Sequence, residues 1–299
     1  MNSFAHLSDD AIQMLEASLP EKLTFLRTSH LFSYPAFDHI LRDLQDLVRF
    51  PRTTKPECRA VIADSDNGKT TLTRKFLANN PVVLDEAGYP INKVLWVETP
   101  PSADERRLYS SILQALDITH RPDAPPSRLD ALVQQELAAQ QTTVLVLDEL
   151  HAMLNSPARQ QKQFMAALKR LSNVRSLSIV ACGTVDVSRA LAIDSQFVSR
   201  FTRLALPRWQ ANETFLQLLA SFETKMPLPQ PSKLNAPEKA MEIFKSSDGT
   251  IGSVQKITMR AAEAALKKGS SSITFKILQE ECQSYRRGLL MPSQPPLGA

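Results

Sequence analysis

The residues in this chain most able to do chemistry fall in two short runs. "ADSDNGKT" (Ala63 to Thr70) joins an apolar run to a helix-like one, and "VLVLDE" is an apolar run ending at Asp148 and Glu149. A phosphate-binding loop needs successive backbone N–H groups curled around the ligand, a lysine for the β and γ oxygens, and a hydroxyl for Mg²⁺. Gly68, Lys69 and Thr70 complete such a pattern, but Ala63 stands where its opening glycine belongs. In this reading Ala63, Asp64, Ser65, Asp66, Asn67 and Gly68 wrap the phosphates of ATP. Lys69 pairs with them, Thr70 ligates Mg²⁺, and Thr71 adds to the nucleotide contacts at the start of the helix whose positive dipole end faces the site. The alternative is an ordinary strand–turn–helix with a chance "GKT". The Ala63 methyl is a mild obstruction at negative φ and a serious one at positive φ. Asp64 and Asp66 bring negative charge near phosphates unless they point outward.

The second run supplies what the first lacks. Asp148 at a strand end suits the Mg²⁺ hydration shell, and Glu149 suits orienting and polarising the attacking water. Taken separately, either run has a bland alternative, here a surface carboxylate pair. Two more residues fit the same chemistry. Thr184 ends "SIVACGT", where it can touch the γ-phosphate or the water; the alternative is a helix cap or turn residue. Arg200 precedes the strand-like "TRLAL", where it can reach a neighbouring subunit's nucleotide and stabilise transition-state charge. The alternative is a solvated or salt-bridged arginine. His151 has no partner ligands at zinc-like spacing and reads as a structural hydrogen-bonding residue.

These residues need elements to position them. "RAVIA", "KVLWVET", "TTVLVLDE", "SLSIVACGT" and "TRLAL" read as strands. "TTLTRKFLANN", "SADERRLYSSILQAL", "SRLDALVQQELAAQQ" and "ARQQKQFMAALKRLSN" read as helices, the second with Ser102 as cap and Glu105 completing a capping box. Ahead of them, "YPAFDHILRDLQDLVRFP" places Phe37, Ile40, Leu41, Leu44 and Leu47 on one helical face, with Pro51 as its stop. The alternation predicts an α/β fold: a parallel sheet flanked by helices. After "LPRW" four helical segments follow, with the Pro-rich "PLPQPSKLNAP" among them. The expected layout is an N-terminal arm over 1–40, a nucleotide-binding α/β core over 41–208, a helical lid over 209–290 and a disordered tail over 291–299. A P-loop core followed by a small helical lid is the layout of an AAA+ ATPase, a class that usually works as rings or helical filaments.

The 299 residues carry 43% hydrophobic and 22% charged side chains, an ordinary globular composition. A net charge of +4 permits a nucleic-acid partner without demanding one. Cys58, Cys182 and Cys282 lie far apart, which argues against a zinc site or a disulfide framework and fits a reducing cytosol. There is no basic n-region followed by an apolar stretch at the start, and no apolar run long enough to span a bilayer. The expected location is cytoplasmic.

From about residue 30 to residue 280 the chain resembles the TniB/TnsC family of transposition regulators, AAA+ ATPases related to IstB. The resemblance rests on "YPAFDHILRDLQDLVRFP", "DNGKTT", "VLDELHAMLN", "ACGTVDVSRAL", "DSQFVSRF", "LPRW" and "DGTIGSVQKI". It implies an ATPase that assembles on double-stranded DNA as a filament or ring, contacts a TniQ-like target selector and recruits a DDE transposase, with hydrolysis promoting disassembly. It agrees with the roles of Lys69, Thr70, Asp148, Glu149, Thr184 and Arg200 given above. By analogy it also makes Arg106, Arg107, Thr119 and Arg121, near the helix after the second strand, candidates for DNA phosphate contacts. The alternative for these is a solvated face. Two departures stand out. Ala63 replaces the first loop glycine, and Ser253 stands where relatives often carry a lid arginine, with Gln255 and Lys256 nearby.

Competing readings are an IstB/DnaC-like helicase loader or initiator ATPase, and a low-turnover nucleotide-binding scaffold. "LPRW" and the long arm favour the transposition regulator over the loader, and the intact Asp148–Glu149 pair speaks against complete loss of catalysis.

Overall fold

The computed structural model describes residues 4–28, 32–49 and 55–290. Pro51 and the tail over 291–299 lie outside the described residues. In chain order the elements begin with α1 (Asp9–Gln13), α2 (Leu19–Arg27), α3 (Pro35–Arg49), β1 (Cys58–Ala63) and α4 (Lys69–Ala78). A small hairpin of β2 (Val83–Leu84) and β3 (Pro90–Ile91) precedes β4 (Val94–Glu98), α5 (Glu105–Ala115) and α6 (Pro126–Ala139). Then come β5 (Val144–Asp148), a 3₁₀ turn (Leu150–Asn155), α7 (Ala158–Arg175), β6 (Ser178–Gly183), α8 (Val187–Leu191), α9 (Ser195–Val198) and β7 (Phe201–Leu206). The chain closes with α10 (Glu213–Glu223), α11 (Pro237–Ser247), α12 (Ile251–Lys267) and α13 (Phe275–Leu290).

These elements form two compact units, Pro35–Pro207 and Met1–Tyr34 with Arg208–Ala299. The first is built on a five-stranded sheet in the order β4-β5-β6-β1-β7, every pairing parallel. A parallel sheet must be covered on both faces, so its strands read as continuous apolar runs rather than alternating ones. "VLVLD" is buried at every position. Cys58, Ala60, Leu95, Val97, Leu145, Leu147, Ile179 and Ala181 share one core with Leu108 and Ile112 of α5, Val133 of α6 and Phe164 and Leu168 of α7. α3 packs against α4 and β7 and buries Phe37, Ile40, Leu44 and Leu47. Arg59 of β1, buried among these residues, donates to the carboxylate of Asp43 on α3 and lies 3.0 Å from Glu57.

The helix after β4 starts later than the capping box predicts. Asp104, not Ser102, is the cap; its Oδ1 accepts the N–H groups of Arg106 (2.8 Å) and Arg107 (3.2 Å). A carboxylate accepts both N–H groups at once and adds its charge to the positive helix end, so it displaces the serine.

The second unit is helical. Leu26, Phe215, Leu219, Phe222, Ile243, Ile257 and Leu278 form its core. The segment expected as a separate arm divides: residues up to Tyr34 group with these helices, and α3 groups with the sheet. Ser8 Oγ donates to the Thr224 carbonyl (2.9 Å), and Arg27 pairs with Glu263 of α12 at 2.9 Å. The Pro-rich loop is held by one buried carboxylate. Glu223 accepts the N–H groups of Ser232 (2.6 Å), Lys233 (3.0 Å) and Leu234 (2.9 Å). "LPRW" and "DGT" meet: the Trp209 N–H donates to the Gly249 carbonyl (2.7 Å), and Arg208 pairs with Asp248. Gly249 has φ +68°, and a Cβ there would stand 2.5 Å from the Trp209 oxygen, so glycine is required. Among the described residues, no helix is long and apolar enough to cross a membrane.

Candidate nucleotide site

The loop from Asp64 to Gly68 leaves the C-terminal end of β1 and opens α4. Ala63 is the last residue of β1, buried and in register with Leu206 of β7, and its φ is not positive. The left-handed positions of the loop are instead Asp66 (φ 61°) and Gly68 (φ 85°). Obstruction at Ala63 is therefore the mild case. Asn67 is buried, and its Nδ2 donates to the carbonyls of Leu206 (2.8 Å) and Pro207 (3.1 Å), pinning the loop to the end of β7. Gly68 offers no side-chain cap, so the first N–H groups of α4 keep their positive end uncapped. Thr70 and Thr71 are exposed in that first turn, beside the buried Lys69. Such a loop fits a phosphate chain.

Asp148 ends β5 opposite Glu98 of β4 and is buried; its Oδ1 accepts the Glu149 N–H at 3.0 Å. Glu149 then turns into the left-handed region, φ 53° and ψ 39°. For a residue other than glycine this costs about 1–3 kcal/mol. The turn carries its carboxylate to Lys69, whose Nζ donates to Oε1. Oε2 lies 3.2 Å from His151 Nδ1. That nitrogen is buried and makes no hydrogen bond, so the expected structural hydrogen-bonding role is not filled at Nδ1. A Cβ on Gly183 of β6 would stand 2.8 Å from the same atom and 2.5 Å from Val187 Cγ2. The imidazole thus occupies space that any larger residue at 183 would take. Next to Gly183, burial pushes the Cys182 thiol up to about 12, with the Asp148 carboxylate adding to the effect.

Thr184 follows Gly183, half-buried, and its carbonyl accepts the Val187 N–H (3.0 Å). Arg200 stands elsewhere. It precedes β7, where its carbonyl accepts the Cys58 N–H (3.0 Å), at the end of the sheet opposite the loop. Its Nη1 donates to Asn173 Oδ1 (2.7 Å), and its Cζ lies 5.6 Å from the Phe197 ring centroid. The four arginine and threonine candidates for DNA contact form no single cluster. Arg106 and Arg107 are exposed at the start of α5, while Thr119 and Arg121 are exposed beyond its end, roughly 16 Å away at 1.5 Å per residue. Arg121 lies 3.3 Å from Asp123. Arg107 also lines a cleft of about 780 Å³ with Trp96, Thr99 and Ser111, along the outer strand β4. In the helical unit, Ser253 is buried and its Oγ accepts from Thr250 Oγ1 (2.8 Å) and Tyr285 Oη (2.9 Å). Gln255 is half-buried and Lys256 exposed.

Sequence reasoning passed over Asn67 as an anchor and the contact of His151 with Gly183. Both depend on residues far apart in the chain, which spacing does not reveal.

The family described as "Bacterial TniB protein" matches residues 22–211. Among solved structures, the ORC2 protein of Aeropyrum pernix in its ADPNP–ADP complexes superposes with a TM-score of 0.62 at 14% identity, over 87% of this chain and 71% of that one. Drosophila ORC bound to DNA gives 0.56 at 15%, over 92% and 66%. The RuvB Holliday-junction branch-migration motor of Thermotoga maritima gives 0.53 at 16%, over 87% and 73%. No curated protein matches the chain by sequence. At these identities the likeness is one of fold: a P-loop AAA+ core with a parallel sheet flanked by helices, and helical segments at both termini.

Proposed function

The chain belongs to the TniB family of bacterial proteins, and we propose that it is an ATP-dependent, DNA-binding regulator of DNA transposition. It assembles on duplex DNA as a ring or filament that connects a TniQ-like target selector to a DDE transposase, working in the cytoplasm. One observation carries the ATPase part of this reading: Lys69 at the start of α4 meets Glu149, which follows Asp148 at the end of β5.

In this reading the N–H groups between Asp64 and Lys69 cradle the phosphates, and Lys69 leaves Glu149 for their β and γ oxygens. Thr70 and Asp148 hold Mg²⁺, which supplies charge neutralisation between the phosphates. Glu149, freed from Lys69, orients the attacking water and draws off its proton. Thr184, at the same end of the sheet, takes a γ-phosphate oxygen or the water. Arg200 serves the neighbouring subunit, since within one chain a strand of six residues, roughly 20 Å at about 3.3 Å per residue, separates it from the loop. Arg106, Arg107, Thr119 and Arg121 meet DNA phosphates, which makes binding sequence-independent and salt-sensitive.

Slow turnover is part of this reading because Ser253, whose hydroxyl is tied to Thr250 and Tyr285, is neutral where the resemblance leads one to expect an arginine. The deciding experiment is negative-stain microscopy with duplex DNA, with and without ATP or a slow analogue. ATP-dependent filaments or rings on DNA are the expected result. ATP binding without assembly or DNA binding moves the loader or scaffold reading ahead.

A further inference from the structure

The His151 imidazole is packed where the nucleotide-site reading gives it no task. Its Nδ1 is buried, faces Glu149 Oε2 at 3.2 Å, and is left without a hydrogen bond. Buried polar atoms are nearly always paired, so an orphan 3.2 Å from a carboxylate marks a bond available on a small rotation rather than a random vacancy. Glu149 is held off that bond by its other oxygen, which Lys69 binds. Gly183 completes the arrangement, because its missing side chain is what lets the ring approach.

We propose that His151 is a positioning residue for Glu149. When phosphates draw Lys69 away, the Glu149 carboxylate rotates to accept a hydrogen bond from His151 Nδ1–H, and this bond holds it toward the attacking water. The proposal rests on the reading of Glu149 as the residue that orients water. The neutral imidazole with its proton on Nδ1 suffices, so no change of charge is involved. Gly183 leaves room for the His151 ring as well as for Val187, and through it the strand that ends beside Thr184 shares in setting the carboxylate. Such positioning acts on the chemical step rather than on binding, so it lowers kcat and leaves nucleotide affinity nearly unchanged.

The geometry names the atom, and the amide nitrogen of asparagine overlays Nδ1 whereas that of glutamine overlays Nε2. His151→Ala and His151→Gln are expected to bind a slow ATP analogue within about threefold of the wild type while kcat falls about tenfold or more. His151→Asn is expected to recover at least a third of the wild-type kcat. Gly183→Ala, whose methyl would meet both the ring and Val187 Cγ2, should also lower kcat, with circular dichroism reporting that it folds. In ¹⁵N–¹H spectra of the wild type, an exchange-protected imidazole Nδ1–H signal should appear on adding Mg²⁺ and the analogue, and not in Glu149→Ala. Unchanged kcat in His151→Ala, equal activity of His151→Gln and His151→Asn, or no new imidazole signal at saturating analogue overturns the inference and leaves the nucleotide site standing. Failure of the wild type to bind the analogue overturns both.

Discussion

Arg200 and Lys69 stand at opposite ends of one five-stranded sheet, joined by the parallel pair β1 and β7. If phosphates bind at Lys69 as proposed, a single chain does not bring its Arg200 to them. Mixing Arg200→Ala with Lys69→Ala subunits tests the arrangement. Each alone should hydrolyse ATP at least tenfold more slowly than the wild type, and an equimolar mixture should recover part of the activity, because some interfaces then hold an intact loop facing an intact arginine. No recovery on mixing, with both variants folded, would leave Arg200 to its contacts with Asn173 and Phe197.

Glu149→Gln removes the base but keeps the shape. ATP binding should persist and turnover should fall about a hundredfold or more, trapping any nucleotide-dependent assembly. The replacement also removes the anion against which Lys69 rests, so ATP affinity should rise rather than fall. Filter binding against single-turnover rates separates the two effects. Unaltered hydrolysis would take Glu149 out of its role.

Restoring the missing loop glycine should do little for binding. Ala63 lies inside a strand at a φ that is not positive, buried and paired with Leu206. Ala63→Gly is expected to change ATP affinity by less than about threefold while costing about 0.5–1 kcal/mol of stability, the backbone-entropy penalty of glycine within a strand. A large gain in affinity would show that the methyl does obstruct the phosphates.

The ion pair between Arg59 and Asp43 links β1 to α3, with the arginine buried and Asp43 partly exposed. Asp43→Ala leaves a buried guanidinium with the exposed Glu57 as its counter-charge and the Cys58 carbonyl as an acceptor, so urea unfolding should show a loss of about 3 kcal/mol. A loss below about 1 kcal/mol would mean that water reaches Arg59 as readily as Asp43 does.

The three cysteines should resist modification. Burial raises Cys58 to about 11, Cys182 to about 12 and Cys282 above its ordinary value. A disulfide-exchange reagent at pH 8 should titrate them only after denaturant is added, since the thiolate is the reacting form. Because the folded values exceed the ordinary 9.0, their contribution to stability is full below pH 9 and is lost as pH rises toward 11–12. Rapid reaction of the native protein would contradict the burial.

Much of the sheet and its helices was legible because strands buried on both faces announce themselves as apolar runs, as "VLVLD" does. The placement of the runs from Ala63 and at Asp148–Glu149, each at a strand end, was legible for the same reason. Other features were not. The hairpin over Val83–Leu84 and Pro90–Ile91 is too short for any periodicity, and its exposed Val82, Val83 and Leu84 resemble a buried run. Ser102 matched a capping box, yet Asp104 two residues on won the helix start by charge. Asn67 and Gly183 matter through partners more than thirty residues away, and Ser253 through Tyr285, which pattern reading along the chain does not reach.

The chain has two tryptophans, and the boundary between its compact units falls between them. Trp96 sits on the outer strand of the sheet, 37% exposed, in the cleft beside Arg107. Trp209 belongs to the helical unit, its ring 4.9 Å from that of Tyr34 and its backbone joined to Gly249. Each unit thus carries its own intrinsic fluorophore. Replacing one with phenylalanine leaves tryptophan emission from the other alone, so the two single-tryptophan variants report the melting of the sheet and of the helices separately.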